Sequence, residues 1–201
     1  MRCEGGQSYL EYLDRIFQVS QDDSLMVENY DFKIWDNPNS MIENIRNKDL
    51  NLSLCRVVAG YSWRWQSKGC ETIAQAMREG LEDIELDGRK YVWNMSNQEW
   101  ILREGAVNEI GCVHTTQGYD LNYVAVIFGH EIDYDDELDS IVIDRSKFFD
   151  SKVKDGVDDE TLKQYIINSY KVMMTRGIKG CYVYACNPRL QNYLKRFIAK
   201  A

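Results

Sequence analysis

The hydrophobic positions along the chain switch between the spacing of helices and the spacing of strands. Apolar residues at helical intervals predict four helices: residues 8–18 capped by Ser8, a short helix through Met41 to Ile45, a long helix from Asp158 to Gly177, and a last one after Asn187-Pro188. Apolar or alternating runs predict strands at residues 30–35, 52–59, 111–113, 123–128, 140–144 and 181–185. Because strands and helices alternate and several strands are apolar throughout, the pattern predicts an α/β fold with a mainly parallel sheet flanked by helices.

Two polar stretches interrupt this alternation and are predicted as insertions, at about residues 61–108 and 130–158. The first holds four of the five tryptophans and a predicted β-hairpin around Asp87-Gly88, and the second is acidic and polar. We find no linker, so residues 1–201 are expected to form a single domain. Four residues of the long helix are predicted to face the core: Tyr165, Ile166, Val172 and Met173.

Composition and charge narrow the classes of function. The 201 residues are 44% hydrophobic, with 24 Lys and Arg against 32 Asp and Glu, so the net charge is −8. This balance argues against a broad basic surface, and any contact with DNA or RNA is expected to be local and weak. The longest strongly apolar run, Val124–Phe128, is far shorter than the ~20 residues of a membrane span. With no secretory signal at the N-terminus, we expect a cytoplasmic monomer.

The sequence lacks the residues that several classes of enzyme require. There are two histidines and six cysteines, none at the spacing of zinc ligands, so no metal site is predicted. Neither the esterase motif Gly-x-Ser-x-Gly nor a phosphate-binding loop occurs in the sequence. The acidic run Asp135-Asp136-Glu137 could hold a metal in a nuclease, but no apolar strand precedes it directly, and we interpret it as a solvated loop.

Two segments resemble sequence motifs of superfamily 1 helicases. Residues 113–121, which lie between two predicted strands, resemble motif V, and residues 168–177, an aliphatic helix ending in Thr175-Arg176, resemble motif VI. Three runs, Gly60–Trp65, His114–Tyr123 and Thr175–Gly180, are more narrowly similar to the uncharacterised bacterial family that is grouped with the Schlafen DNA/RNA helicase domain. The resemblance covers nearly the whole chain and implies the second, C-terminal RecA-like domain of a helicase.

The resemblance also implies roles for individual residues. Arg176 would be the catalytic arginine of motif VI, and His114 and Thr115 would contact nucleic acid. The nucleotide would be approached by Arg2, which resembles the arginine of motif IV, and by Gln117, Gly118 and Asp120. Independently of the resemblance, Trp63 could stack on unpaired bases, although packing in the core is an equal alternative.

The leading hypothesis is half of a DNA/RNA helicase-like ATPase. In the full-length protein, ATP and Mg²⁺ would lie between this domain and an N-terminal RecA-like ATPase domain that is absent here. This chain alone is then expected to bind neither cofactor, to be inactive, and to bind single-stranded DNA or RNA weakly. The alternative is a non-catalytic module with a RecA-like fold that binds nucleic acid or a protein.

Overall fold

The computed structural model describes residues 3–18, 27, 29–95 and 100–201. Its strands are β1 (Asp31–Ile34), β2 (Cys55–Ala59), β3 (Ile84–Leu86), β4 (Arg89–Tyr91), β5 (Ile110–Gly111), β6 (Leu121–Phe128), β7 (Ile132–Asp135), β8 (Ser140–Ile143) and β9 (Gly177–Ala185). Its α-helices are α1 (Gly6–Phe17), α2 (Pro38–Leu52), α3 (Ile73–Glu79), α4 (Ser151–Lys154), α5 (Asp159–Met174) and α6 (Pro188–Leu194). Short 3₁₀ turns lie at Trp100–Leu102, Ala106–Asn108 and Arg145–Lys147.

The centre of the fold is a sheet of five parallel strands in the order β1-β9-β6-β2-β5. Strands β6 and β9 form the longest pairing, with Leu121 opposite Gly177 and Phe128 opposite Ala185. Helices cover the sheet, so the predicted α/β architecture with a mainly parallel sheet is confirmed. It has the layout of a RecA-like fold.

Both faces of the sheet are buried, and the side chains of β6 show how. Val124, Val126 and Phe128 join the larger hydrophobic cluster, which includes buried residues of α1, α5 and α6. Ala125 and Ile127 point the other way, into a second cluster with residues of α2 and of strands β3 and β4. This period of two follows from the pleat of a strand and explains why the part of β6 from Val124 to Phe128 is apolar on both faces.

Local sequence signals set the ends of most helices. Asn37 caps α2 by accepting a hydrogen bond from the Ser40 backbone N–H at 2.8 Å, and Asp158 caps α5 in the same way through Thr161 at 2.7 Å. Helix α2 continues to Leu52 and is much longer than the short helix predicted. Helix α1 begins at Gly6, before the predicted cap at Ser8.

The buried face of α5 differs from the predicted one. Tyr165 is 47% exposed and Val172 is only partly buried, so their assignment to the core was wrong, whereas Ile166 and Met173 are buried. The buried stripe also contains Leu162, Ile167, Tyr170 and Met174. It is centred on positions near Tyr170, because the sheet lies against that side of the helix and leaves Tyr165 at the margin.

The two predicted insertions contain more regular structure than their sequences suggest. Residues 61–108 include the predicted hairpin, in which Ile84 pairs with Tyr91, and also helix α3, which was not predicted. In residues 130–158, β7 and β8 pair as an antiparallel hairpin. The acidic run Asp135-Asp136-Glu137 begins at the end of β7 and enters the turn between these strands, where the Asp135 carboxylate accepts hydrogen bonds from the backbone of Glu137 and Leu138.

Within the described residues, no group of three or more histidine, cysteine or acidic side chains could hold a metal ion. In the same part of the chain, no helix is both long and apolar enough to cross a membrane.

Candidate functional site

The loop between β5 and β6 crosses the domain from one edge of the sheet to the other. Strand β5 ends at Gly111 and strand β6 begins at Leu121, and both run parallel to β2. The end of one parallel strand and the start of the next lie at opposite edges of a sheet. His114 therefore lies near the carboxyl edge of the strands, whereas Gly118 and Asp120 lie near the amino edge.

At the amino edge, this loop meets the end of α5. The Leu121 backbone N–H donates a hydrogen bond to the Arg176 carbonyl oxygen at 2.8 Å, and Leu121 lies opposite Gly177 in the sheet. Asp120 and Arg176 thus immediately precede neighbouring strands. The tertiary structure brings together two predicted site residues that are 56 positions apart in the sequence.

The side chains at this edge differ in their surroundings. Arg176 is partly buried, and its Nε is shielded from solvent without a hydrogen-bond partner. Gly118 is exposed and has a φ of +85°, a left-handed conformation that favours glycine, and Gln117 is exposed beside it. Asp120 is partly buried.

The start of β9 allows an unusually close approach of the backbone. A Cβ on Gly177 would collide with the Gly180 carbonyl oxygen, and one on Gly180 would collide with the Tyr123 ring. The Glu4 backbone N–H also reaches this region and donates to the Ile178 carbonyl at 2.8 Å. Arg2, the remaining residue predicted to approach the nucleotide, lies outside the described residues.

At the carboxyl edge, the side chain of His114 is half exposed. Its ring lies edge-on to Tyr61, with 5.8 Å between the ring centroids, and its Nε2 is 4.0 Å from Asp150 Oδ2. Thr115 is buried instead: its hydroxyl accepts the Cys112 N–H and donates to the Cys112 carbonyl, both at 2.8 Å. In this conformation, Thr115 shapes the turn that presents His114.

Beneath His114 lies a small cavity of about 50 Å³, lined mainly by apolar side chains together with Glu131 and Tyr170. Glu131 is fully buried, and its Oε1 accepts a 2.5 Å hydrogen bond from the Tyr170 hydroxyl, which in turn accepts the Gly129 N–H at 2.9 Å. Burial raises the pKa of Glu131 above its ordinary range, which favours the neutral acid.

Sequence reasoning missed Glu131. Its available signal was its position, two residues after Gly129 and three after the end of the apolar strand β6, where side chains reach the carboxyl edge of a sheet. A Cβ on Gly60 would collide with the Tyr170 hydroxyl, so this glycine makes room for the buried pair.

Trp63 also lies beyond the carboxyl end of β2. It is partly buried against the second hydrophobic cluster, and its ring centroid lies 6.5 Å from that of His130. Trp63 therefore packs against the core and remains partly exposed.

The parallel sheet with helices on both faces and polar loops at both edges defines the chain as a RecA-like α/β domain. Comparison with known families shows that it belongs to the Schlafen group 3, DNA/RNA helicase domain family, whose model matches residues 1–187. It is also 35% identical over 181 residues to an uncharacterised protein of Saccharomyces cerevisiae, YPL245W; the match covers 85% of this chain and 37% of that protein. No solved structure matches the chain.

Proposed function

We propose that this chain is the C-terminal RecA-like half of a superfamily 1 DNA/RNA helicase-like ATPase. In this proposal it supplies motif V and the motif VI arginine to an ATP site completed by an N-terminal RecA-like domain. The supporting observation is the hydrogen bond from Leu121 to Arg176, which joins the ends of the two segments that resemble these motifs. The match to a helicase domain family and the greater length of the yeast relative agree with a larger protein of this kind.

The chemistry assigns a simple task to each residue at the amino edge. Phosphoryl transfer requires positive charge at the transferred phosphate, and an arginine supplied across a cleft provides it. Arg176 would carry that charge, while Gly118 would let the backbone approach the nucleotide and Asp120 would contact its ribose. The partner domain would hold the phosphates and Mg²⁺.

The loop from Cys112 to Asp120 also offers a path for coupling. His114 at its carboxyl-edge end would contact single-stranded DNA or RNA, while Asp120 at its other end would sense the nucleotide. The hydroxyl groups of Thr115 and Thr116 hold the first part of this segment through hydrogen bonds to Cys112 and Val113. In this proposal, a movement at one end would pass along the short segment to the other.

The complete protein would act as a cytoplasmic monomer with ATP and Mg²⁺ as its cofactors. Its domain architecture would resemble that of the bacterial family with similar motifs. Gln117 and Arg2 would add polar contacts to the nucleotide.

The test is Arg176→Ala in the complete protein, measured by nucleotide binding and steady-state ATP turnover. ATP binding should remain nearly unchanged while turnover falls well over tenfold, because arginines in this role contribute ~10³–10⁵ in rate. Arg176→Lys should rescue turnover poorly, since an ammonium lacks the planar fork that spans two phosphate oxygens.

The matched control is Lys179→Ala, which removes an exposed cation three residues away in β9 and should leave turnover at the parent level. Equal turnover in the parent, Arg176→Ala and Lys179→Ala proteins would contradict the ATPase proposal. That result would favour the module that binds nucleic acid or a protein without ATP.

A further inference from the structure

Two consecutive phenylalanines near the carboxyl edge of the sheet differ in their exposure to solvent. Phe148 packs into the larger hydrophobic cluster, whereas Phe149 is 38% exposed. The Phe149 backbone is fixed, because its N–H donates to the Tyr61 carbonyl at 2.7 Å. The main chain that carries this exposed ring is thus anchored to Tyr61.

The exposed side chain of Arg64 lies over this ring. Its guanidinium carbon is 5.4 Å from the centroid of the Phe149 ring, a distance typical of cation–π contacts. Within the described residues, Arg64 forms no ion pair with a carboxylate. Most other arginines there do: Arg46, Arg56, Arg89, Arg103, Arg145, Arg189 and Arg196. The charge of Arg64 therefore remains available to a ligand.

The position of this pair relates it to the loop between β5 and β6. Tyr61, which accepts the hydrogen bond from Phe149, is also the residue whose ring contacts His114. Asp150 follows Phe149 directly and lies 4.0 Å from His114. The Arg64 and Phe149 pair is thus next to the histidine assigned above to nucleic acid.

We propose that Arg64 and Phe149 form a stacking site for one unpaired base of single-stranded DNA or RNA. The inference rests on the proposed function, because it adds a base contact to the strand that His114 would touch. An aromatic ring and a planar guanidinium both stack on the π-face of any base. A phosphate, by contrast, gains nothing from Phe149.

The charge of the molecule favours a base over a phosphate as the ligand of this pair. With a net charge of −8, the chain gains little from the attraction to phosphates that dominates most nucleic-acid binding. Stacking does not depend on net charge, so it can hold a strand locally on an acidic protein. It is also indifferent to base identity, which suits a protein that moves along a strand.

The experiment measures binding of two fluorescent strands of about 16 nucleotides by the complete protein, one an oligothymidine and the other its abasic counterpart. Phe149→Leu should weaken binding of the oligothymidine at least about fivefold and leave binding of the abasic strand unchanged. Arg64→Lys, which keeps the charge at an exposed position, should show the same selectivity. ATP turnover without nucleic acid should stay at the parent level in both variants.

Two controls match these changes elsewhere on the surface. Leu138→Ala removes an exposed apolar side chain from the turn after β7, and Arg78→Lys makes the same arginine-to-lysine change at an exposed position of α3. Both should bind the two strands like the parent protein.

Unchanged binding of oligothymidine by Phe149→Leu and Arg64→Lys, or equal losses on both strands, would overturn the stacking site. The proposed function would still stand if Arg176→Ala lowered ATP turnover and left ATP binding nearly unchanged. A parent protein that binds neither strand would overturn both proposals. That result would instead favour a protein partner as the ligand of Arg64 and Phe149.

Discussion

At the scale of single residues, the turn after β5 depends on a buried hydroxyl group. Thr115 satisfies both the backbone N–H and the carbonyl of Cys112, so this one side chain replaces two main-chain hydrogen bonds at a point where the sheet ends. In this conformation, the single proton that the hydroxyl can donate is used inside the turn. The role of Thr115 in binding, which the resemblance implies, stays a prediction that can be separated from its structural role.

We expect Thr115→Val to lower the free energy of unfolding by ~1–3 kcal/mol, because the similar shape fills the site but leaves a buried N–H unpaired. Urea denaturation measures the change, and Thr115→Ser, which keeps the hydroxyl, should stay close to the parent. A Thr115→Val protein with parental stability but weaker binding of single-stranded DNA would instead support direct contact with nucleic acid.

Glu131 makes stability depend on pH. Burial raises its pKa in the folded protein above the ordinary value of 4.5, so between these two pKa values the folded state keeps a proton that the unfolded state has lost. The contribution of this group to stability is therefore present below about pH 4.5 and is lost as the pH rises through the folded-state pKa.

Glu131→Gln removes this titration but keeps an oxygen that can accept from Tyr170. We expect its free energy of unfolding to rise relative to the parent protein as the pH increases from 4.5, by up to about 1.4 kcal/mol per unit. Urea denaturation at several pH values measures the difference. Glu137→Gln, at an exposed site, is the control, and parallel pH profiles for Glu131→Gln and the parent would contradict the prediction.

At the scale of elements, the tryptophan-rich segment between β2 and β5 is organised by one carboxylate. Asp83 accepts hydrogen bonds from the backbone N–H groups of Gln66, Ser67 and Trp93 at 2.6 to 2.9 Å, and from the Ser67 hydroxyl at 2.7 Å. It thereby joins the chain after β2 to the chain after β4. Trp93 is almost fully buried next to it.

Asp83→Ala should loosen this segment before the central sheet. Several buried N–H groups would lose a charged acceptor, and such hydrogen bonds contribute ~1.5–3 kcal/mol each. Hydrogen exchange should accelerate at Gln66, Ser67 and Trp93, with little change at β6. Uniform acceleration across the sheet would show that the segment is not a separate unit of stability.

At the scale of the whole molecule, the sheet separates two surfaces to which the proposed function assigns different tasks. The amino edge carries Arg176, Gly118 and Asp120, and the carboxyl edge carries His114 and the Arg64 and Phe149 pair. In the proposed function, nucleotide and nucleic acid occupy opposite edges and communicate through one loop. Neither surface completes an ATP site by itself, because no phosphate-binding loop occurs in this sequence.

We therefore expect residues 1–201 alone to show no ATP turnover above a buffer blank. Binding of single-stranded DNA or RNA should be weak, near the ~10⁻⁴–10⁻⁶ M of non-specific binding, because the net charge is −8. A phosphate-release assay and fluorescence anisotropy measure the two quantities. Steady turnover by this chain, or tight binding that persists at moderate salt, would contradict the arrangement.

The sequence by itself determined the elements whose signals are local. The apolar run of β6, the start of α5 at the cap Asp158 and the Asp87-Gly88 hairpin all lie where their patterns predicted, because pleat, helix ends and tight turns are set by neighbouring residues. The parallel α/β class followed from their alternation. The candidate residues His114 and Arg176 were also found from short motifs.

Only the tertiary structure decided which face of each element is buried and which distant residues meet. The exposure of Tyr165, the pairing of Leu121 with Gly177, the buried Glu131 and the contact of Arg64 with Phe149 all depend on how strands and helices pack. A periodic pattern defines an apolar stripe only to within about a residue. Burial and proximity are set by contacts between segments that lie far apart in the chain, and no local pattern encodes those contacts.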